Sequence, residues 1–194
     1  LGVAPKMVIG KIRTNVVAEG WPVWHSGIAN TEYLALNTTA AKATATPMWN
    51  STSPTSSVIS LGTDNWINKN TATYVAYCFT DVPGYQKIGS YTGNGSADGP
   101  FVFCGFKPRW ILIKRTDATG NWIIYDTARR TFNTTETILI ANQSVAEVTA
   151  AENIDILSNG FKAKYGGAGD TNTNTGIYMY LAIADTNGRY SNAR

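Results

Sequence analysis

The clearest indication of the fold is the stretch Trp110-Ile-Leu-Ile-Lys-Arg-Thr-Asp-Ala-Thr-Gly-Asn-Trp-Ile-Ile-Tyr-Asp126. It contains two runs of β-branched and aromatic residues, separated by a polar segment that includes Gly120. Such runs favour β-strands, and a short polar connection with a glycine is typical of a hairpin turn. The stretch therefore predicts a β-hairpin.

Similar runs along the chain predict an all-β protein, an antiparallel β-sandwich of jelly-roll-like type. The run 73–79 is apolar almost throughout, which is typical of a buried central strand. Segments 38–54 and 62–70 are expected to be loops, and 145–152 has a modest helical tendency. The other predicted strands are 7–13, 21–25, 33–37, 57–61, 88–91, 101–104, 137–141, 154–157, 161–165 and 177–183.

The two halves of the chain match each other at a period of about one hundred residues. This predicts two tandem related β-sandwich units, 1–83 and 84–194. One larger jelly roll built from both halves is the alternative. The matched pairs include Lys11 and Lys114, Trp21 and Trp122, His25 and Asp126, and Tyr74 and Tyr178.

The first predicted unit lacks a counterpart of segment 85–103, which leads the second, because Leu1 already aligns near Cys104. The chain begins with Leu rather than Met, so we expect it to be part of a longer protein. A sandwich without its first strand has an open edge, which favours pairing with other chains. We expect upstream sequence, the other repeat or a partner chain to cover that edge.

The charge pattern does not indicate nucleic-acid or membrane binding. Charged residues make up 15% of the chain and the net charge is +3, against roughly 25% charged residues in typical soluble domains. No apolar run is long enough to span a bilayer. The one tight basic cluster is interpreted as a solvated edge rather than a nucleic-acid stripe. It consists of Lys107, Arg109, Lys114 and Arg115.

The sequence predicts no catalytic residue, no metal site and no cofactor. His25 is the single histidine, and without a nucleophile motif we interpret it as structural. Cys78 and Cys104 are predicted to be buried free thiols, with a disulfide as the alternative. No Cys/His or calcium-loop spacing is present.

Trp49 and Trp66 are the candidate ligand-binding residues. Neither has a counterpart in the second half, and both fall in predicted loops. An exposed loop tryptophan is well suited to stack on a sugar or anchor a partner. The alternative is that these side chains fold back over the end of the sandwich.

Several segments together resemble a tandem repeat module of tailed-phage virion proteins of the tail-fibre class. The resemblance covers nearly the whole chain and includes the ending Ser191-Asn-Ala-Arg194. The module is similar in flavour to concanavalin-like or laminin-G-like sandwiches, which often bind glycans. The segments are 74–79, 89–102, 112–117, 121–126 and 157–161.

The resemblance implies a non-catalytic module of a virion fibre or tail appendage that contacts host surface glycan or protein. It further implies a homo-oligomer, with a trimer plausible, or assembly with other virion proteins. The protein would be made in the host cytoplasm and reside in the virion. A purely structural decoration or oligomerising fibre segment is the alternative, and a polysaccharide-degrading enzyme is the third hypothesis.

Overall fold

The structure, a computed structural model, describes residues 2–14, 19–164 and 169–184, with the backbone alone at 150–152. Within these residues there are thirteen β-strands and one four-residue helix, and all strand pairs are antiparallel. This confirms the predicted all-β, antiparallel fold. The predicted strand end at Tyr165 and the chain end 191–194 lie outside the described residues.

Contacts divide the chain into two compact units, Leu1–Thr80 and Asp81–Arg194. We call them unit 1 and unit 2. The predicted tandem domains 1–83 and 84–194, and their descent from one repeat, stay predictions.

Unit 1 contains a five-stranded sheet in the order β4-β3-β2-β1-β5. Val8 and Trp24 project from this sheet into a core that is closed by Met48, Trp49 and Ile67. One face of the sheet is therefore covered by a loop and a helical turn. The elements are β1 (Met7–Ile12), β2 (Pro22–His25), β3 (Glu32–Ala35), β4 (Ala43–Thr44), α1 (Asn65–Asn68) and β5 (Tyr74–Phe79).

Unit 2 contains eight strands in the order β6-β13-β8-β9-β10-β11-β12-β7. The hairpin of β8 and β9 is the one that the sequence predicts. The strands are β6 (Gln86–Thr92), β7 (Phe101–Phe103), β8 (Pro108–Arg115), β9 (Trp122–Asp126), β10 (Thr135–Ile140), β11 (Val148–Leu157), β12 (Gly160–Ala163) and β13 (Ile177–Ala184).

The sheet of unit 2 folds over itself to form a sandwich-like arrangement. The register of β10 against β11 shifts between Thr135 and Thr137, and a bulge of this kind bends its strand. Aromatic rings then fill the interior: Phe161 of β12 packs edge-on against Tyr180 of β13, with ring centroids 5.5 Å apart. Both rings belong to one continuous apolar core.

Four strands follow the same order in each unit, β5-β1-β2-β3 and β13-β8-β9-β10. Their registers also correspond. Val8 lies opposite Cys78 in unit 1, and Ile111 lies opposite Ala182 in unit 2.

A side-chain contact recurs at matched positions. Oδ1 of Asn37 accepts a hydrogen bond from the backbone N–H of Trp21 at 2.9 Å. Oδ1 of Asn142 accepts the same bond from Trp122 at 2.8 Å. Each asparagine ties the residue that precedes or begins one strand, β2 or β9, to the segment that follows the next strand, β3 or β10.

Five predicted elements differ in the structure, and one of them is the expected loop 38–54, which contains the two-residue strand β4. Residues 57–61 form no strand, and 62–70 contains α1 rather than only a loop. The helical tendency of 145–152 is overridden where β11 begins, because Val148 and Thr149 pair with β10. Strand β5 is not a buried central strand but the edge of its sheet, where Tyr77 is 47% exposed.

Candidate functional site

Trp49 lies inside the core of unit 1, with 2% of its surface exposed. It packs in the cluster that contains Val8 and Met48. Its indole N–H is buried and has no hydrogen-bond partner among the described residues. The expectation of an exposed Trp49 is therefore wrong. The loop folds back over the sheet, which is the alternative that the sequence left open. Its ring has no free face for a ligand in this conformation.

Trp66 lies in α1 and is half-buried. Asp64 caps the helix by accepting a hydrogen bond from the Trp66 backbone N–H at 2.8 Å. The indole ring packs edge-on against Tyr33, with centroids 5.7 Å apart. It also covers Gly20, where an added Cβ would meet the ring at 2.5 Å. Trp66 therefore holds the unit together, and its role in ligand binding stays a prediction.

His25 is fully buried at the end of β2. Its Nδ1 accepts a hydrogen bond from the Gly27 backbone N–H at 2.9 Å. Burial, assisted by the charge of Lys6, lowers the pKa of His25 to about 4. The imidazole is therefore neutral at physiological pH and stabilises a turn, in agreement with a structural role.

The basic cluster of the sequence separates into two environments. Lys107 and Arg109 are exposed, whereas Lys114 is fully buried, which contradicts its interpretation as part of a solvated edge. Nζ of Lys114 donates to the carbonyl of Gly120 at 3.0 Å. Burial lowers the pKa of Lys114 to about 8, although the nearby Asp170 carboxylate opposes this shift. Lys114 therefore belongs to the hairpin's interior.

The two cysteines are free thiols, Cys78 partly buried and Cys104 buried. Burial raises the pKa of Cys104 to about 12, so its thiol stays protonated and unreactive at neutral pH. Across the residues that the structure describes, no group of three or more His, Cys, Asp or Glu side chains could hold a metal ion. None of the described helices is long and apolar enough to cross a membrane.

A distinct surface feature of unit 2 lies along the loop between β9 and β10. It starts in a turn in which Asp126 accepts hydrogen bonds from the backbone N–H groups of Ala128 at 2.9 Å and Arg129 at 3.0 Å. Its far end is clamped to β11, because the Asn133 side chain both donates to and accepts from the backbone of Ile156 at 2.9 Å. The loop is thus held at both ends.

Two adjoining cavities of about 190 and 240 Å³ lie along this loop and share three lining residues, Lys107, Thr127 and Thr131. Phe132 lines the first cavity with 77% of its surface exposed. An aromatic side chain so exposed on a held loop is unusual for a packing role. We call this surface the basic groove and define it by Lys107, Arg109, Thr127, Arg130, Thr131 and Phe132.

Three cationic side chains, those of Lys107, Arg109 and Arg130, line the groove. Arg130 forms an ion pair with Glu136 at 2.8 Å. The Nε–H of Arg130 is buried and has no hydrogen-bond partner among the described residues. Lys107 and Arg109 are exposed, and Lys107 lines both cavities. Cations, hydroxyl groups and an aromatic face thus lie together.

The sequence offered one signal for this loop. Between His25 and β3 the connection in unit 1 is shorter than the connection in unit 2 between the matched Asp126 and β10. An insertion relative to the other half therefore falls on the segment that carries Arg130 and Phe132. The unmatched tryptophans do not point to this loop, because its unmatched aromatic residue is a phenylalanine, Phe132.

The chain belongs to a family with a defined sequence pattern but no assigned activity. The family described as Domain of unknown function (DUF7483) matches residues 1–187. The chain is a member of that family. The match covers the residues that form the basic groove and those that form β5. No curated protein and no solved structure matches the chain.

Proposed function

We propose that this DUF7483 domain is a non-catalytic module of a phage virion fibre or tail appendage, and that it contacts acidic glycan on the host surface. The observation that carries the binding proposal is the basic groove, where exposed Phe132 lies beside Lys107, Arg109 and Arg130. The resemblance of the sequence to virion modules supports the setting. Host cytoplasm as the place of synthesis and the virion as the destination follow from the same resemblance.

The chemistry of the groove favours a charged sugar over a neutral one. An aromatic ring offers a flat apolar surface to the C–H face of a pyranose. Lysine and arginine bind carboxylate or sulfate groups, and arginine does so with a fixed fork of donors. The hydroxyl groups of Thr127 and Thr131, which line both cavities, add neutral hydrogen bonds of the kind that sugar hydroxyls form.

A structural role within the virion is the second candidate. It is favoured by Phe101 and Phe103, two aromatic side chains of β7 that are 49% and 61% exposed. Strand β7 ends the sheet of unit 2, so these rings are accessible to another chain in an oligomer, a trimer among them, or to another virion protein. Burial of both rings between chains would support this role.

A glycan array that includes neutral, uronic-acid and sulfated oligosaccharides tests the proposal. We expect retention on the acidic glycans, falling as the salt concentration rises, because exposed charges are screened within about 8 Å at physiological ionic strength. Retention only on neutral glycans, or on none, would contradict it. Binding to a host surface protein and to none of the glycans would indicate a protein ligand instead.

A further inference from the structure

Strand β5 is the exposed edge of the sheet in unit 1, and no described strand lies beyond it. The backbone N–H of Arg13 bonds to the carbonyl of Thr73 at 2.7 Å. In an antiparallel ladder the residues that bond to the neighbour alternate with those that point away. The N–H and C=O groups of Tyr74, Ala76 and Cys78 therefore point outward, away from β1.

The other strand edges in the described residues carry features that block pairing. Strand β4 has two residues and β7 has three. Strand β6 carries Lys87 and Gly89, a charge and a poor strand former. Strand β5 has six residues, Tyr74-Val-Ala-Tyr-Cys-Phe79, without a charge or a proline. Among the strand edges of the described residues, β5 is therefore the one without a feature that blocks pairing.

Unit 2 shows how a strand occupies the equivalent edge. Strand β13 takes the place that β5 has in unit 1, and β6 pairs along its outer side over seven register positions. Tyr91 of β6 lies directly opposite Tyr178 and stacks on it, with centroids 5.0 Å apart and planes 15° apart. Tyr74 is the match of Tyr178, so an incoming aromatic residue has a ring to stack on.

Comparison with unit 2 also indicates how large a residue of an incoming strand can be where it lies opposite Ala76. There Gly89 lies opposite Tyr180, and an added Cβ would meet the Tyr180 hydroxyl at 2.8 Å. Unit 1 has Ala76 in place of that tyrosine. A large side chain therefore fits opposite Ala76, where β6 requires glycine.

A cavity of about 210 Å³ adjoins this edge at Cys78, and its lining combines apolar side chains with Thr55, Ser56 and Ser57. Its walls include Val3 and Val58, which are 50% and 58% exposed, with Pro5 and Ile59. In the antiparallel arrangement, the incoming residue opposite Cys78 precedes the one opposite Tyr74 by four positions. An apolar side chain there can enter the cavity.

We propose that the outer edge of β5 binds an extended strand of a partner polypeptide by antiparallel strand addition. The strand carries an apolar residue opposite Cys78, a large apolar residue opposite Ala76 and an aromatic residue opposite Tyr74. Main-chain hydrogen bonds fix the pairing, and the cavity and Tyr74 select the side chains. This surface is separate from the basic groove and does not depend on glycan binding.

The probe is a fluorescent peptide of residues 85–93 with Lys87→Leu and Gly89→Leu and a lysine tag for solubility. Fluorescence anisotropy with the full chain should show binding at 1:1 stoichiometry. The backbone N–H of residue 89 faces the neighbouring strand in β6, since Gly93 and Tyr85 bond across to Gly176 and Ala184. N-methylation at position 89 should therefore weaken binding at least tenfold, and N-methylation at position 90 should leave it unchanged.

Val58→Lys in the protein should also weaken binding at least tenfold, because it places a charge in the cavity. Val145→Lys, at a valine of similar exposure in unit 2, is the matched control. In hydrogen exchange the amides of Tyr74, Ala76 and Cys78 should exchange rapidly in the free chain and slowly with peptide. No peptide binding would overturn the proposal. So would slow exchange in the free chain, either at every concentration, which indicates a covered edge, or only at high concentration, which indicates a second copy.

Discussion

The buried imidazole of His25 accepts a hydrogen bond through Nδ1 from the backbone N–H of Gly27 at 2.9 Å. At the matched position of unit 2 a carboxylate oxygen of Asp126 accepts the same bond from Ala128 at 2.9 Å. A neutral histidine and a carboxylate thus close the same turn. The turn requires a hydrogen-bond acceptor at this position, and in unit 1 that acceptor is available only while His25 is neutral.

The first prediction concerns acid stability. Because burial lowers the pKa of His25 to about 4 from its ordinary 6.5, the unfolded chain takes up this proton first. The contribution of His25 to the free energy of unfolding should be fully present above pH 6.5. It should fall by about 1.4 kcal/mol per pH unit down to pH 4 and level off below pH 4. His25→Asn keeps an acceptor oxygen without the titration.

Urea unfolding of both proteins between pH 4 and 7.5 measures this effect. The difference in stability between His25→Asn and the wild type should shift by about 3 kcal/mol in favour of the variant as the pH falls. Parallel curves for the two proteins would show that the histidine does not titrate as its burial implies.

The second prediction separates packing from binding at Trp49. Trp49→Ala should lower the free energy of unfolding by about 3–5 kcal/mol, because it empties a buried site. Trp49→Phe should cost less, since it also removes the unpaired indole N–H. Thermal unfolding measures both. If Trp49→Ala were as stable as the wild type and lost ligand binding, Trp49 would be a binding residue after all.

The third prediction concerns the asparagine clamps. Asn37→Ala should cost about 1–2 kcal/mol, since it removes the acceptor for the Trp21 N–H. Asn142→Ala should cost more, because Asn142 also donates to Asn121 at 3.0 Å. The exposed Gln143 side chain donates to the same Asn121 oxygen at 2.9 Å rather than to a backbone group. Gln143→Ala is therefore the control for that contact, with a cost under about 0.5 kcal/mol. Denaturant midpoints would contradict the account if Gln143→Ala were the most damaging of the three.

The fourth prediction addresses the contact between Gly20 and Trp66. A Cβ at position 20 would lie 2.5 Å from the indole ring, so Gly20→Ala should displace the ring and cost about 1–3 kcal/mol. Trp66→Leu should relieve part of that cost in the double variant. Strict additivity of the two substitutions in a double-mutant cycle would show that the ring is not confined there.

Sequence patterns predicted the parts of the fold that depend on local periodicity. The hairpin of β8 and β9 and the strands β1, β2, β7 and β13 follow runs of apolar residues, which favour strands wherever they pack. Failures arose where tertiary context decides. Strand β5 has the composition of a central strand but lies at an edge, and 148–152 joins β11 through its strand partners.

The candidate site was less predictable than the fold. Composition cannot distinguish Trp49, which folds inward, from Phe132, which projects outward, because exposure depends on what a loop packs against. Lys114 shows the converse, since its hydrophilic side chain is buried by the hairpin around it. The mismatch in loop length after His25 and Asp126 is the one sequence feature that points toward the basic groove.

The central claim is that the basic groove binds acidic glycan through Phe132. The most direct test titrates the best acidic glycan from the array into the wild type, Phe132→Ala and Phe103→Ala by calorimetry, with thermal unfolding to confirm that all three fold. We expect binding about tenfold weaker in Phe132→Ala, a loss of about 1.4 kcal/mol, and no change in Phe103→Ala, which alters another exposed phenylalanine. Unchanged affinity in Phe132→Ala, or an equal loss in both variants, would contradict the central claim.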